Sequence, residues 1–237
     1  MKKPIRINSN RVGICKEGQH DYLSCGINSL SSILETLEVE GLDIDELNTE
    51  IIRLNREIEL GGIYNIDIMA QVLEHITSKY RDVEYEIKEF NTLEEFKSII
   101  ENNISNSYIM VCYYALQGFI RITKHPSMEH AHFGIIYDYN KEKERIHGSQ
   151  SNSKADKLKC LEGVDIETFY NSCCIVNKLK LNWGKYNKCN INVSRKQLET
   201  CARCGENTCK LGLSSTEKCV YYPTIGNKAI IIRKKSD

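Results

Sequence analysis

The chain has 237 residues, 41% hydrophobic and 27% charged, the proportions of a soluble globular protein with one substantial domain and room for a small appendage. No apolar run approaches the roughly 18 residues that would cross a bilayer. The formal net charge is zero, but residues 1–140 carry 13 Lys/Arg against 22 Asp/Glu, and residues 141–237 carry 19 against 10. Either the two parts attract one another, or bound thiolates offset the positive charge of the second, or that part meets an acidic partner or nucleic acid.

The basic start "MKKPIRINSNRVGICKEG" has no apolar core behind it, so no secretory signal and a cytoplasmic address are expected. There thiols stay reduced, and eleven cysteines point to metal binding or catalysis more than to a disulfide framework.

In chain order, residues 26–39 place Leu30, Ile33, Leu34 and Leu37 at helical spacing, which sets Cys25 at a helix N-terminus. Residues 43–58 open with an acidic turn and continue as a helix. After the break at "GGIY", "NIDIMAQVLEHITSKY" predicts another. "VEYEIKEF" alternates like a strand, and "TLEEFKSIIENNI" predicts a helix capped by Thr92 with Glu95 three residues on. "SYIMVCYYAL", "HAHFGIIYDYN" and, more weakly, "KERIHGS" follow as strands, then "SQSNSKADK" as a loop. "DIETFYNSCCIV" predicts a short helix leading into a strand; if Cys173 and Cys174 lay on a strand they would face opposite ways and make a poor chelate. From about residue 178 the texture turns to lysine, asparagine and cysteine, and "KAIIIRKK" closes the chain as a strand. Helices first and antiparallel strands afterwards make an α+β arrangement.

A thiol in the first turn of a helix feels the partial positive charge of unpaired amides, which lowers its pKa, and the thiolate is the reactive form. Its proton acceptor comes from elsewhere in the sequence. His132, at the start of the apolar strand "HFGIIYDY", is the best placed histidine; His130, two residues earlier, is the alternative. Gln19 would donate an amide hydrogen bond to a developing oxyanion beside the Cys25 backbone amide. His20 and His147 read as surface or supporting groups, Cys15 and Cys112 as buried thiols. The competing reading of Cys25 is also a buried structural thiol.

The stretch "QHDYLSCGINSLSSIL", with "HAHFGII" downstream, resembles the double-glycine leader peptidases that process bacteriocins, and the broader papain-like superfamily that includes phytochelatin synthases. The resemblance covers roughly residues 15–175, including "GGIYNIDIMAQVLE" where the family has a glycine-led helix. It implies a papain-like cysteine peptidase fold, with N-terminal helices packed on an antiparallel sheet. It also implies that Gln19 lines the oxyanion hole, Cys25 attacks and His132 is the base. Ser24 stands where the family has Asp. The residue orienting the histidine, an Asp or Asn in the family, falls in "GSQSN", where Asn152 is the first choice and Gln150 the next.

"CARCGENTCKLGLSSTEKC" places Cys201, Cys204, Cys209 and Cys219 in the pattern C-x2-C-x4-C-x9-C, with Cys189 as an alternative fourth ligand. Four thiolates suit a structural zinc site, and an iron–sulfur cluster is the rival. The expected organisation is a peptidase domain over 1–177 and a Cys-rich, zinc-binding segment over 178–237. The expected function is a cysteine peptidase or acyl transferase acting on a peptide or protein through an acyl-enzyme, with no cofactor needed for the chemistry. The alternatives are an inactive papain-like protein whose metal-bearing basic tail binds protein or nucleic acid, and a sensor in which the tail controls the cleft.

Overall fold

The structure, a computed structural model, describes residues 25–47, 50, 65–116, 119–120, 131–150, 161–178, 181–182, 220–221 and 224–235. Helix α1 (Cys25–Thr36) and helix α2 (Ile66–Lys79) come first. Then follow β1 (Val83–Glu89), α3 (Leu93–Asn103), β2 (Tyr108–Leu116), β3 (Phe119–Ile120), β4 (Ala131–Asn140), β5 (Arg145–Gln150), β6 (Glu162–Asp165) and α4 (Ile166–Val176). β7 (Leu181–Asn182) and β8 (Val220–Tyr221) form a two-stranded ribbon, and β9 (Lys228–Lys234) ends the order.

Seven strands make one antiparallel sheet in the order β1-β9-β2-β4-β5-β6, with β3 paired to β2. Mixed helix and antiparallel sheet is the α+β class that the element order predicts. The closing strand takes an interior place, between β1 and β2, so the sheet draws on residues from both sides of position 178.

Every residue of β2 from Tyr108 to Ala115 is buried, as are Ala229 to Ile232 of β9. Continuous apolar strands of this kind need cover on both faces. Met110, Cys112, Tyr114, Phe133, Ile135, Ile230 and Ile232 pack with α1 and α2, while Ile109, Val111, Tyr113, Ala229 and Ile231 pack with α3 and α4. The expectation of N-terminal helices on a sheet therefore accounts for one layer only. The second layer is built from helices that lie between and after the strands.

Local signals behave as the sequence predicts. Thr92 Oγ1 accepts the Glu95 N–H at 3.1 Å and Glu95 Oε2 accepts the Thr92 N–H at 3.2 Å, a complete capping box. Of the helix expected over 43–58, positions 44–47 and 50 are described as helical, with Asp43 Oδ1 accepting the Glu46 N–H at 2.9 Å. The helix expected over "DIETFYNSCCIV" is α4, which runs to Val176 and carries Cys173 and Cys174 on a helix and not on a strand. Asp165 caps that helix through the Thr168 N–H at 2.8 Å, and Ile166, Phe169, Cys173 and Val176 form its buried stripe. Among the described residues, no helix is long and apolar enough to cross a membrane.

Candidate active site at the start of α1 and β4

Helix α1 is buried at every position from Cys25 to Leu34. Small residues permit this, and the need is sharpest at Gly26, where a Cβ would stand 3.1 and 3.2 Å from ring carbons of Phe133. The first turn thus lies directly against β4.

Cys25 is 4% exposed. The backbone amides of Phe133, of Gly26 and of Cys25 itself lie near enough to the thiol to favour its charged form, as expected at a helix N-terminus. Burial opposes them and is the larger effect, so the Cys25 pKa is raised. The expectation of a lowered pKa is overturned: the resting group is a neutral thiol held where amides would receive its negative charge.

His132 is the second residue of β4, half-buried and opposite Tyr113 of β2. Its Nε2 lies 2.9 Å from Gln150 Oε1 on β5. An amide oxygen only accepts, so Nε2 carries the hydrogen and Nδ1 is the basic nitrogen. Desolvation pulls the His132 pKa down to about 4, against the upward pull of the Gln150 bond. The imidazole is neutral at pH 7. Gln150, the second choice of orienting residue, holds this position. It is buried in the last place of β5, and with Ser149 it belongs to a strand where the sequence suggested a loop.

The strand register sets the relation between thiol and imidazole. Cys112 pairs with Phe133 and Tyr113 with His132, so successive residues of β4 face opposite layers. Cys25 packs with Cys112 and Phe133 on one side, and His132 stands beside Tyr113 on the other. The two meet at the same end of β4, connected by the peptide from His132 to Phe133. Among the described residues no hydrogen bond joins the thiol to the imidazole.

Gln19, Asn152, His130, His20, Cys15, Cys189 and the candidate zinc ligands Cys201, Cys204, Cys209 and Cys219 lie outside the described residues. His147 sits on β5 at its irregular pairing with β6. Among the described residues no cluster of three His, Cys, Asp or Glu side chains is arranged to hold a metal. Two contributors escaped the sequence reading: the Phe133 amide, whose side chain looks like ordinary core, and Tyr113, concealed in an unbroken apolar strand. The pairing of "YIMVCYYAL" with "HAHFGII" is the signal that would have found Tyr113, since it sets one tyrosine directly opposite the histidine. The chain matches no family model, and no curated protein matches it.

Proposed function

We propose that this protein is a papain-like cysteine enzyme that cleaves or transfers a peptide or isopeptide acyl group, with Cys25 as nucleophile and His132 as base. The observation that carries the reading is the His132–Gln150 hydrogen bond on the strand whose next amide, that of Phe133, favours the charged form of the Cys25 thiol. The base is thereby held in one tautomer, and the nucleophile has its charge stabilisation in place.

In this reaction the Cys25 sulfur attacks the carbonyl carbon as His132 Nδ1 takes the thiol proton. Because thiol and imidazole stand on opposite faces of β4 in the resting protein, the transfer requires the ring to pivot about its Nε2–H···Gln150 bond, past the start of the strand, until Nδ1 reaches the thiol. Gln150 Oε1 stays on Nε2–H and steadies the imidazolium. The Cys25 backbone amide, with Gln19 as the sequence resemblance implies, receives the oxyanion. Collapse expels an amine that takes its proton from His132 and leaves a thioester on Cys25. Water, or an amine or thiol acceptor, then releases the acyl group. Cys201, Cys204, Cys209 and Cys219 are carried forward from their spacing as ligands of one structural zinc, which native mass spectrometry with and without chelator would count.

A non-catalytic binding role is the second reading, and the burial of the Cys25 thiol favours it. Intact-mass analysis after brief iodoacetamide treatment near pH 8 separates the two, comparing the wild type with Cys25→Ala and His132→Ala. Single labelling that vanishes in the first variant and slows in the second supports the enzyme. Labelling spread over several cysteines and indifferent to His132 overturns it in favour of a binding protein.

A further inference from the structure

We infer that Tyr113 is the positioning residue for the His132 imidazole, clamped by α4 so that its ring edge holds the histidine in the orientation from which Nε2 reaches Gln150. The inference rests on the reading of His132 as the base, but its test does not require turnover.

One hydrogen bond at Nε2 fixes one atom of a ring that turns about two side-chain torsions. A second contact is needed to choose the orientation. Tyr113 supplies it from the directly opposite position on β2, with ring centroids 5.9 Å apart and planes at 80°. Such an edge-on pair is attractive and directional. Tyr113 is itself boxed in. Phe169 of α4 lies 5.2 Å from it, centroid to centroid. A Cβ on Gly134 would stand 3.0 Å from a Tyr113 ring carbon and 2.9 Å from Leu161 Cδ1, so the tyrosine ring occupies the space above that glycine.

The backbone beside Tyr113 is held from the same helix. β2 pairs with β9 from Tyr108 to Val111, and beyond that stretch α4 comes to the strand at Tyr114. Ser172 of α4 makes the contact: its Oγ accepts the Tyr114 N–H at 3.0 Å and donates to the Tyr114 carbonyl at 2.7 Å. A helix serine thus holds the strand one residue from the tyrosine that faces the base.

The test is nitrogen NMR of 15N-histidine-labelled full-length protein at neutral pH, with Tyr113→Phe, Tyr113→Leu and Gly134→Ala compared to wild type. Wild type and Tyr113→Phe are expected to show the single Nε2–H pattern at His132, because the edge contact does not use the hydroxyl. Tyr113→Leu and Gly134→Ala, the second displacing an intact Tyr113, are expected to lose it to tautomer-averaged shifts. A single Nε2–H pattern kept in both folded variants overturns the inference. So does the absence, in the wild type, of cross-relaxation between Tyr113 ring protons and the imidazole, a measurement that needs no variant. If alkylation never depends on His132, the functional reading fails while the nitrogen spectra still decide the role of Tyr113.

Discussion

Gln150 reaches His132 on a diagonal across two strands. The register sets Gln150 opposite Gly134, two residues beyond His132, yet its Oε1 lies 2.9 Å from the imidazole Nε2. Paired residues share a face of the sheet, as do residues two apart on one strand, so the amide reaches its partner along the diagonal. The orienting group of the candidate base is therefore an uncharged oxygen.

Replacing Gln150 tests that arrangement. Gln150→Ala leaves a buried N–H without its acceptor, at a cost of about 1–3 kcal/mol in stability. It should also slow His132-dependent alkylation of Cys25 by about 10²-fold, the lower end for a positioned base. Gln150→Glu places a carboxylate on Nε2 and should move the His132 pKa upward from about 4. Denaturant unfolding, alkylation rates and an imidazole titration read the three outcomes.

Stability should rise with pH across the acid range. The folded His132 pKa is lowered to about 4 from 6.5, so below pH 6.5 the unfolded chain takes up a proton that the native protein refuses. Stability from this group is complete above pH 6.5, declines as pH falls towards 4 and levels off below. The span amounts to up to about 3 kcal/mol. Urea midpoints of wild type and His132→Gln between pH 4 and 7 isolate it, with the slope expected to flatten in the variant.

Alkylation of Cys25 should climb by about tenfold per pH unit from pH 6 to 8, since only the thiolate reacts and burial raises this thiol above its usual 9.0. A rate already level near pH 6 would mean a preformed thiolate–imidazolium pair in place of two neutral groups. Stopped-time mass spectrometry of the adduct provides the profile.

Gly26→Ala should push α1 away from β4. The added methyl carbon would stand 3.1 Å from the Phe133 ring, and crowding of a packed core costs about 1–3 kcal/mol despite the better helix propensity of alanine. Calorimetry should show a lowered Tm. Because the shift separates the thiol from the Phe133 amide, Cys25 alkylation at pH 7 should fall as well.

Features set by near neighbours were legible in the sequence. The Thr92–Glu95 box and the apolar spacing of α1 and α2 involve residues within a turn or two, so composition and period suffice. Cys25 at a helix start and His132 at a strand start follow from the same local patterns. "DIETFYNSCCIV" was legible as a helix, and its end at Val176 follows the same local pattern. The apolar stripe of this helix packs α4 onto β2.

The sequence by itself thus determined the α+β class and most element positions, and placed Cys25 at a helix start and His132 near a strand start. Only the tertiary structure decided that "KAIIIRK" enters the sheet between β1 and β2, because strand pairing joins groups far apart in the chain. It also decided that Gln150 meets His132, through the β4–β5 register. The Cys25 pKa divides in the same way. The helix terminus that lowers it is local and visible in the sequence. The burial that outweighs it comes from the core cluster around the thiol, which includes Cys112 and Phe133 and which only the fold assembles.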